Sequence, residues 1–128
     1  MIYSVRKANN NINPEAKEKY YPYPKYANRV TLQEIARDIA LASSLTRGDV
    51  ENTIINLIDT MKKYLKMGNI IDLDEFCTLK LTFSSEGSDT PEEVDHNNIK
   101  KTKLVFIADK KLKQELQDIS FTRLKSQE

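Results

Sequence analysis

Two helix-start motifs within twenty residues constrain the fold of this 128-residue chain more than any other feature. Each has an apolar residue, a threonine, an acidic residue three positions later and another apolar residue, at residues 30–35 and 45–50. This pattern is a capping box enclosed by a hydrophobic staple, which starts a helix and fixes how the chain enters it. Because only residues 42–45 remain for the turn, we expect two neighbouring helices joined as a helical hairpin.

Both predicted helices carry a wide apolar stripe at helical spacing. The first helix covers about residues 32–42 and the second about residues 47–66. Gly68 follows the second helix and is expected to end it. Only 39% of the chain is hydrophobic and tryptophan is absent, so one small protomer has little core to spare. The stripes therefore need a sheet or a second copy of the chain to pack against.

After Gly68 the apolar period changes from helical to alternating, which predicts strands. A hairpin follows, with a tight turn at Asp74 and Glu75 and a second strand at residues 77–83. An acidic connector leads to a third strand at 102–107, and Asp109 caps a short helix to about residue 118. Residues 119–124 form a candidate last strand. The fold class is α+β.

The N-terminal residues 1–29 are predicted to be a separate β extension before a domain at 30–128. A strand at residues 2–6, an asparagine-rich loop and an extended piece at 20–26 make up this extension. Pro22 and Pro24 confine the extended piece to a sheet edge or a polyproline-like path. Its aromatic and basic residues either contact bases and phosphates, or cover a sheet edge or dimer seam. They are Lys19, Tyr20, Tyr21, Tyr23, Lys25 and Tyr26.

The chain lacks the residues that most catalytic or metal sites need. Its one cysteine, Cys77, lies in an alternating apolar run and is expected to be a buried structural thiol. Its one histidine, His96, lies in a polar stretch typical of a solvated loop. Neither a glycine-rich phosphate loop nor a membrane span is present in the sequence. We expect no enzyme activity, cofactor, metal, small-molecule substrate or membrane partner, and an intracellular location.

Charge is segregated along the chain although the net charge is only +1. Residues 1–29 carry +4 and residues 30–128 carry −3. Within the second part, residues 84–98 contain five acidic residues and no lysine or arginine. Residues 99–113 then contain six lysines against Asp109 alone. An acidic connector thus precedes a basic strand and helix.

Three local sequences resemble the HU and integration host factor family of bacterial histone-like proteins. The predicted helices and strands also follow one another in that family's order. Residues 30–73 are similar to the family's helical hairpin with its glycine before the first strand. "EFCTLKL" stands where the family has Gly-Phe-Gly-Thr-Phe, so Phe76 and Thr78 match that motif. "FIADKKLKQEL" is similar to its Lys-x-Leu-Lys helix, with Lys110, Leu112 and Lys113 as the matches. The N-terminal extension, "LTFSSEG" and "ISFTRLK" are similar to HU-related, histone-like proteins of Bacteroides-type bacteria.

The resemblance implies an HU-like fold that forms an intertwined homodimer with a β-sheet saddle. It also implies architectural, largely sequence-independent binding of double-stranded DNA in the cytoplasmic nucleoid. Lys110 and Lys113 follow from the motif, whereas the other proposed DNA contacts depend on charge and strand alternation. The expected DNA-binding residues are Lys80, Lys100, Lys101, Lys103, Lys110, Lys111 and Lys113. The expected dimer core is Ile35, Ile39, Val50, Ile54, Leu57, Ile58, Met61 and Phe76.

The connector departs from the family. HU-like arms end in an Arg-x-Asn-Pro-x-Thr-Gly tip whose proline wedges between base steps. Here the connector's only proline, Pro91, precedes two glutamates, so we expect a turn residue and not a wedge. Glu75 and Cys77 replace the usual glycines, which predicts a differently shaped turn. An alternative is a protein-interaction or assembly module of the same fold with weak or no DNA binding. Paralogue heterodimers and bent, nicked or RNA targets stay open.

Overall fold

The computed structural model describes residues 1–8 and 18–125. Its helices and strands confirm the predicted α+β class. The chain divides into two compact units. The terminal unit comprises Met1–Thr31 and Asp118–Glu128, and the central unit comprises Leu32–Gln117. The asparagine-rich loop predicted after the first strand lies at residues 9–17, outside the described residues.

Two helices open the central unit, α1 at Leu32–Leu41 and α2 at Arg47–Lys66, and they pack against each other. Thr46 caps α2 as predicted, because its hydroxyl accepts a hydrogen bond from the Asp49 amide at 3.1 Å. Gly68 follows the end of α2 with φ +84°, a left-handed conformation that favours glycine. The Asn69 amide then donates to the Tyr64 carbonyl at 3.1 Å and closes the helix end.

The predicted tight turn follows a short strand, β3 at Ile71–Asp72. The Phe76 amide donates to the Leu73 carbonyl at 3.1 Å, and the Leu73 amide donates to the Cys77 carbonyl at 2.9 Å. Asp74 takes φ +50°, and its amide donates to the Asp72 carboxylate at 3.0 Å. An aspartate tolerates the left-handed region because its short polar side chain bonds locally. The turn therefore forms without the family's glycines.

A long antiparallel pair, β4 at Cys77–Ser85 and β5 at Ile99–Ala108, forms the main sheet with β3 in the order β3-β4-β5. The register pairs Cys77 with Ala108 at one end and Ser84 with Lys101 near the other. A register shift follows between Ser84 and Ser85. β5 thus begins earlier than the sequence predicts, because Ile99 and Lys101 also pair. We call β4 and β5 together the ribbon.

The last helix of the central unit is α3 at Lys110–Gln117. It begins at the end of the ribbon that adjoins the β3–β4 turn. The Asp109 carboxylate accepts a hydrogen bond from the Lys111 amide at 2.9 Å, which confirms the predicted cap. The Asp109 amide in turn donates to the Phe76 carbonyl at 2.9 Å. These two bonds fix the start of α3 beside the β3–β4 turn.

The terminal unit is a three-stranded sheet in the order β2-β1-β6. Its strands are β1 at Ile2–Ala8, β2 at Lys19–Lys25 and β6 at Thr122–Arg123. β1 and β2 are antiparallel, whereas β6 runs parallel to β1. The sequence assigns residues 119–124 to the 30–128 domain as a candidate strand, whereas the structure pairs only two of them, and with β1.

Few side chains are fully buried in the described residues. The buried hydrophobic side chains are Ala36 at 0%, Val50 at 3% and Cys77 at 2% relative exposure. The prediction that Cys77 is a buried thiol is confirmed. Many large apolar side chains of the helices and sheets remain exposed in the single chain.

Gly68 and Gly87 provide a matched test of the helix end. A Cβ at either position meets no atom within 4 Å, but only Gly68 has a positive φ. We expect Gly68→Ala to lower the free energy of unfolding by about 1 kcal/mol because alanine is strained in that region. Gly87→Ala should leave it unchanged or slightly raised. Urea unfolding of both variants measures the difference, and equal midpoints would contradict the assigned backbone strain.

Candidate nucleic-acid interface

The two faces of the ribbon differ in chemistry because strand side chains alternate. Lys80 pairs with Val105, Thr82 with Lys103 and Ser84 with Lys101, so three predicted lysines share one face. We call this the basic face. The opposite face carries apolar residues at every pair from Cys77–Ala108 to Leu81–Leu104. One side of the ribbon therefore presents ammonium and hydroxyl groups, and the other presents an apolar surface.

A shallow hollow of about 450 Å³ lies toward the far end of the basic face. Two lysines, Lys101 and Lys103, and two hydroxyl residues, Thr82 and Ser84, are among the residues that line it. Lysine ammonium and hydroxyl groups are common hydrogen-bond donors to nucleic-acid phosphates. Thr82 and Ser84 are absent from the predicted site residues, although alternation with Lys80 places them on the same face.

Two of the predicted lysines form ion pairs. Lys111 lies 2.6 Å from the Glu75 carboxylate, and Lys100 lies 3.4 Å from that of Glu86. Both pairs are exposed, so each is weak and a phosphate can compete for the lysine. Sequence spacing does not identify Glu75 as the partner of Lys111, because the two residues are 36 positions apart.

The predicted lysines of α3 lie away from the hollow. Lys110 and Lys113 are exposed and sit one helical turn apart, on neighbouring positions of the helix surface. The register from Cys77 to Thr82 places five residue steps, about 17 Å, between the α3 end of the ribbon and the near edge of the hollow. The structure therefore separates the expected DNA contacts into the basic face, the two ion-paired lysines and the α3 pair.

The acidic connector closes on itself at the far end of the ribbon. The Asn98 side-chain amide donates to the Glu86 carbonyl and to the Ser88 hydroxyl, both at 2.8 Å. Its oxygen accepts from the Asp95 amide at 2.9 Å, which completes a capping box on a short 3₁₀ turn at His96–Asn98. His96 is exposed within that turn. The connector is thus a compact acidic tip.

Pro91 begins another 3₁₀ turn in this tip, at Pro91–Glu93. Its ring occupies the first position of the turn, where proline's fixed φ fits and its missing N–H costs nothing. Glu92 and Glu93 follow directly within the same turn and are exposed. This placement agrees with the turn role predicted for Pro91 and surrounds it with carboxylates that repel phosphates.

The predicted dimer-core residues are mostly uncovered in the single chain. Val50 is buried, and Ile54 and Met61 are half-buried. Five others are exposed by 38% to 52%: Ile35, Ile39, Leu57, Ile58 and Phe76. The Phe76 ring also meets Phe106 edge-to-face at a centroid distance of 6.1 Å. The single chain therefore leaves apolar side chains of α1, α2 and the β3–β4 turn exposed; these five exposed residues are called the apolar surface of the central unit.

Other kinds of site have little support in the described part of the chain. No group of three or more histidine, cysteine, aspartate or glutamate side chains there is arranged to hold a metal ion. None of the described helices is both long and apolar enough to span a membrane.

Comparison with solved structures identifies the class of fold as HU-like. An HU–DNA cocrystal structure from Anabaena matches with a TM-score of 0.55 and 14% identity over 70% of this chain and 100% of that one. A candidate bacterial DNA-binding protein from Bacteroides vulgatus ATCC 8482 matches with a TM-score of 0.63 and 10% identity. That match covers 96% of this chain but only 48% of the Bacteroides protein, so this chain spans about half its length.

Residues 1–123 match the family model described as "HU domain fused to wHTH, Ig, or Glycine-rich motif", called HU-HIG. The chain belongs to the HU-HIG family. The match confirms the predicted relation to HU proteins and includes the N-terminal strands as well as the central unit. No curated protein matches the chain in sequence.

Asn98 and Asn97 provide a matched test of the closed tip. The Asn98 side chain makes three hydrogen bonds at 2.8–2.9 Å, whereas the Asn97 side chain makes one contact of 3.5 Å to Asp95. We expect Asn98→Ala to speed hydrogen exchange of the Asp95 amide about fivefold or more, the effect of losing roughly 1 kcal/mol. Asn97→Ala should change it less than twofold. Equal exchange in both variants would show that Asn98 does not close the tip.

Proposed function

We propose that this protein is an architectural, largely sequence-independent DNA-binding protein that acts as a homodimer. The observation that carries the proposal is the basic face of the ribbon, where Lys80, Lys101 and Lys103 lie together with Thr82 and Ser84. Within the described residues, these three lysines have no carboxylate within 4.0 Å, so their charges are available to phosphates. Lys110 and Lys113 would add contacts at the other end of the ribbon.

Family membership supports this assignment. The HU protein in the Anabaena cocrystal is bound to DNA, and the Bacteroides vulgatus protein is described as a candidate DNA-binding protein. Similarity to the latter along 96% of this chain favours a place among the HU-related proteins of Bacteroides-type bacteria. The proposal includes a location in the cytoplasmic nucleoid and no enzymatic reaction.

Affinity is expected to be modest. The central unit carries twelve basic and fifteen acidic residues, a net charge of −3. The tip places most of the excess acid at one end of the ribbon, so the basic face retains a local positive potential. In the acidic tip, Pro91 lies in a turn with two exposed glutamates, whose charge opposes its insertion between base pairs. We therefore propose backbone contact with little insertion into the minor groove.

Dimerisation is supported by the apolar surface of the central unit. Ile35, Leu57 and Ile58 are exposed together with Phe76, and burying one such side chain stabilises by about 1.5–3 kcal/mol. A monomer would leave this surface in water. A two-fold pair would cover it and present two basic faces on one molecule, forming the saddle.

Leu57 and Asn52 provide a matched test of dimerisation on α2. Leu57→Asp would put a charge into the proposed interface and should convert the dimer to monomer at micromolar concentration. Asn52→Asp adds the same charge on the other side of α2, away from the apolar stripe, and should leave the dimer intact. Sedimentation equilibrium measures both. A monomeric parent protein, or dimers of equal stability for both variants, would contradict the proposed interface.

Salt dependence tests the phosphate contacts directly. We expect duplex affinity to fall steeply with salt, because each neutralised phosphate adds about 0.9 to the log–log slope. Lys101→Gln with Lys103→Gln should weaken binding and reduce that slope by about 0.9 for each phosphate that is no longer neutralised. Gel-shift titrations on linear and nicked duplex at several salt concentrations provide the measurement.

The control is Lys62→Gln with Lys63→Gln, which removes the same charge from exposed positions of α2. This control should keep the parent slope. An equal loss in both double variants would indicate a general charge effect and not a specific face. A flat salt response of the parent protein, or no binding to any duplex at low salt, would refute the DNA-binding proposal.

The assembly-module alternative draws on one observation, the compact acidic tip with Glu86 paired to Lys100. A module of this kind would bind a protein partner through a surface that does not need the basic face. In this case the parent protein would bind duplex weakly or not at all. Replacing Lys100, Lys101 and Lys103 with glutamate would leave capture of the protein partner intact. Loss of capture with those charges would count against the alternative.

A further inference from the structure

We propose that the terminal unit binds single-stranded nucleic acid, with bases stacked on its tyrosines and phosphates held by its cationic side chains. The site is a groove of about 590 Å³ within this unit. That volume falls in the range of about 300–1,000 Å³ typical of ligand sites. The groove is separate from the basic face of the ribbon, so the inference does not depend on duplex binding.

Aromatic and proline side chains dominate the groove. Four tyrosines, two prolines and one phenylalanine line it: Tyr3, Tyr20, Tyr21, Pro22, Tyr23, Pro24 and Phe121. The exposed fraction reaches 67% for Tyr20 and 62% for Phe121, so flat ring surfaces are open to solvent. Stacking of bases on such rings is tolerant of sequence because every base has a π-face.

The strand register divides these rings between two faces of the sheet, because Tyr21 pairs with Arg6 and Tyr23 with Ser4 on the face opposite to Tyr3 and Tyr20. β1 and β2 pair Lys7 with Tyr20, Val5 with Pro22 and Tyr3 with Pro24, so these six residues share one face. On the same face, β6 pairs Arg123 with Tyr3. Four residue steps separate Tyr3 from Lys7, a length of about 13 Å along β1. The result is a face on which Tyr3 and Tyr20 are separated by the two proline rings. Arg123 lies at one end of this face, and Lys7, which forms an exposed ion pair with Glu18, lies at the other.

Charge favours a polyanion as the occupant. The terminal unit contains eight basic and four acidic residues, a net charge of +4, whereas the central unit carries −3. Arg123 lines the groove, and no acidic residue does so among the described residues. The Arg6 guanidinium lies 5.3 Å from the centroid of the Tyr23 ring, on the opposite face of the sheet and outside the groove lining. A groove with exposed aromatic rings and an arginine, in a unit of net positive charge, matches the chemistry of single-stranded nucleic acid.

The β2 edge of the sheet disfavours a protein strand as the occupant there. A partner strand that extends the sheet needs backbone N–H donors along the free edge of β2. Pro22 and Pro24 have no N–H, and the β1–β2 register continues through both. Proline is tolerated in this way where its missing donor would point away from the ladder. The free edge of β2 therefore lacks donors where a partner strand would pair.

Tyrosine fluorescence gives a local readout of the site in the full-length chain. Five of the six tyrosines lie in the terminal unit, only Tyr64 lies elsewhere, and the chain has no tryptophan. The probes are a ten-nucleotide oligothymidylate and a ten-nucleotide oligouridylate, which distinguish DNA from RNA. We expect at least one of them to quench tyrosine fluorescence and to raise the anisotropy of a labelled copy.

Tyr20 and Tyr26 provide the matched variants. Both side chains are exposed, at 67% and 78%, but only Tyr20 lines the groove. Tyr20→Ala should weaken oligonucleotide binding about 5- to 100-fold, the effect of losing one stacked base. Tyr20→Phe keeps the ring and should bind within twofold of the parent, and Tyr26→Ala should do the same. Circular dichroism checks that each variant is folded.

Several results would overturn the proposal. One is the absence of quenching and anisotropy change with both probes at low salt. Another is an equal loss of binding for Tyr20→Ala and Tyr26→Ala. A third is loss of oligonucleotide binding on Lys80→Glu, Lys101→Glu and Lys103→Glu with no effect of Tyr20→Ala, which would assign binding to the ribbon. Self-association that Tyr20→Ala abolishes, without oligonucleotide binding, would show that a second copy covers the groove.

Discussion

The antiparallel ladder between β4 and β5 is the interaction on which the central unit depends. Strand alternation sorts the side chains of the ribbon, so lysine and hydroxyl groups lie on one face and apolar groups on the other. A shift of the register by one residue would exchange these faces and remove both proposed surfaces. The register is fixed at the end of the ribbon next to α3. There the chain turns at Asp74, and the Asp109 amide donates to the Phe76 carbonyl.

The same alternation accounts for how little of the single chain is buried. The apolar face of the ribbon and the stripes of α1 and α2 contain more hydrophobic surface than one protomer covers, and in the described residues Ala36, Val50 and Cys77 are its only fully buried hydrophobic side chains. Charge shows a similar division. The acidic tip, the basic face and the positive terminal unit consist of different segments of the chain, so a near-neutral protein carries surfaces of opposite sign. Net charge alone is a poor guide to its partners.

Local patterns in the sequence predict the α+β class, the two main helices, the Asp74 turn, the Asp109 cap and the buried Cys77. Each of these depends on residues within a few positions of one another. Contacts between distant residues are not visible in this way. The ion pair of Glu75 with Lys111, the closure of the tip by Asn98 and the pairing of β6 with β1 each join segments that spacing does not connect. The tyrosine-rich piece is visible in the sequence, but its groove also needs Tyr3 from β1, Arg123 from β6 and Phe121 just before β6.

The parallel pairing of β6 with β1 has a consequence for the order of folding. The Met1 amino group donates to the Ser120 carbonyl at 2.7 Å, and the Leu124 amide donates to the Tyr3 carbonyl at 2.8 Å, across about 120 intervening residues. Contacts of such long sequence separation form slowly, because the intervening chain must first be ordered. During synthesis the central unit emerges complete while β1 still lacks β6. The β1–β2 pair needs only residues made early in synthesis, whereas β6 can join the sheet only after the ribosome has passed Leu124.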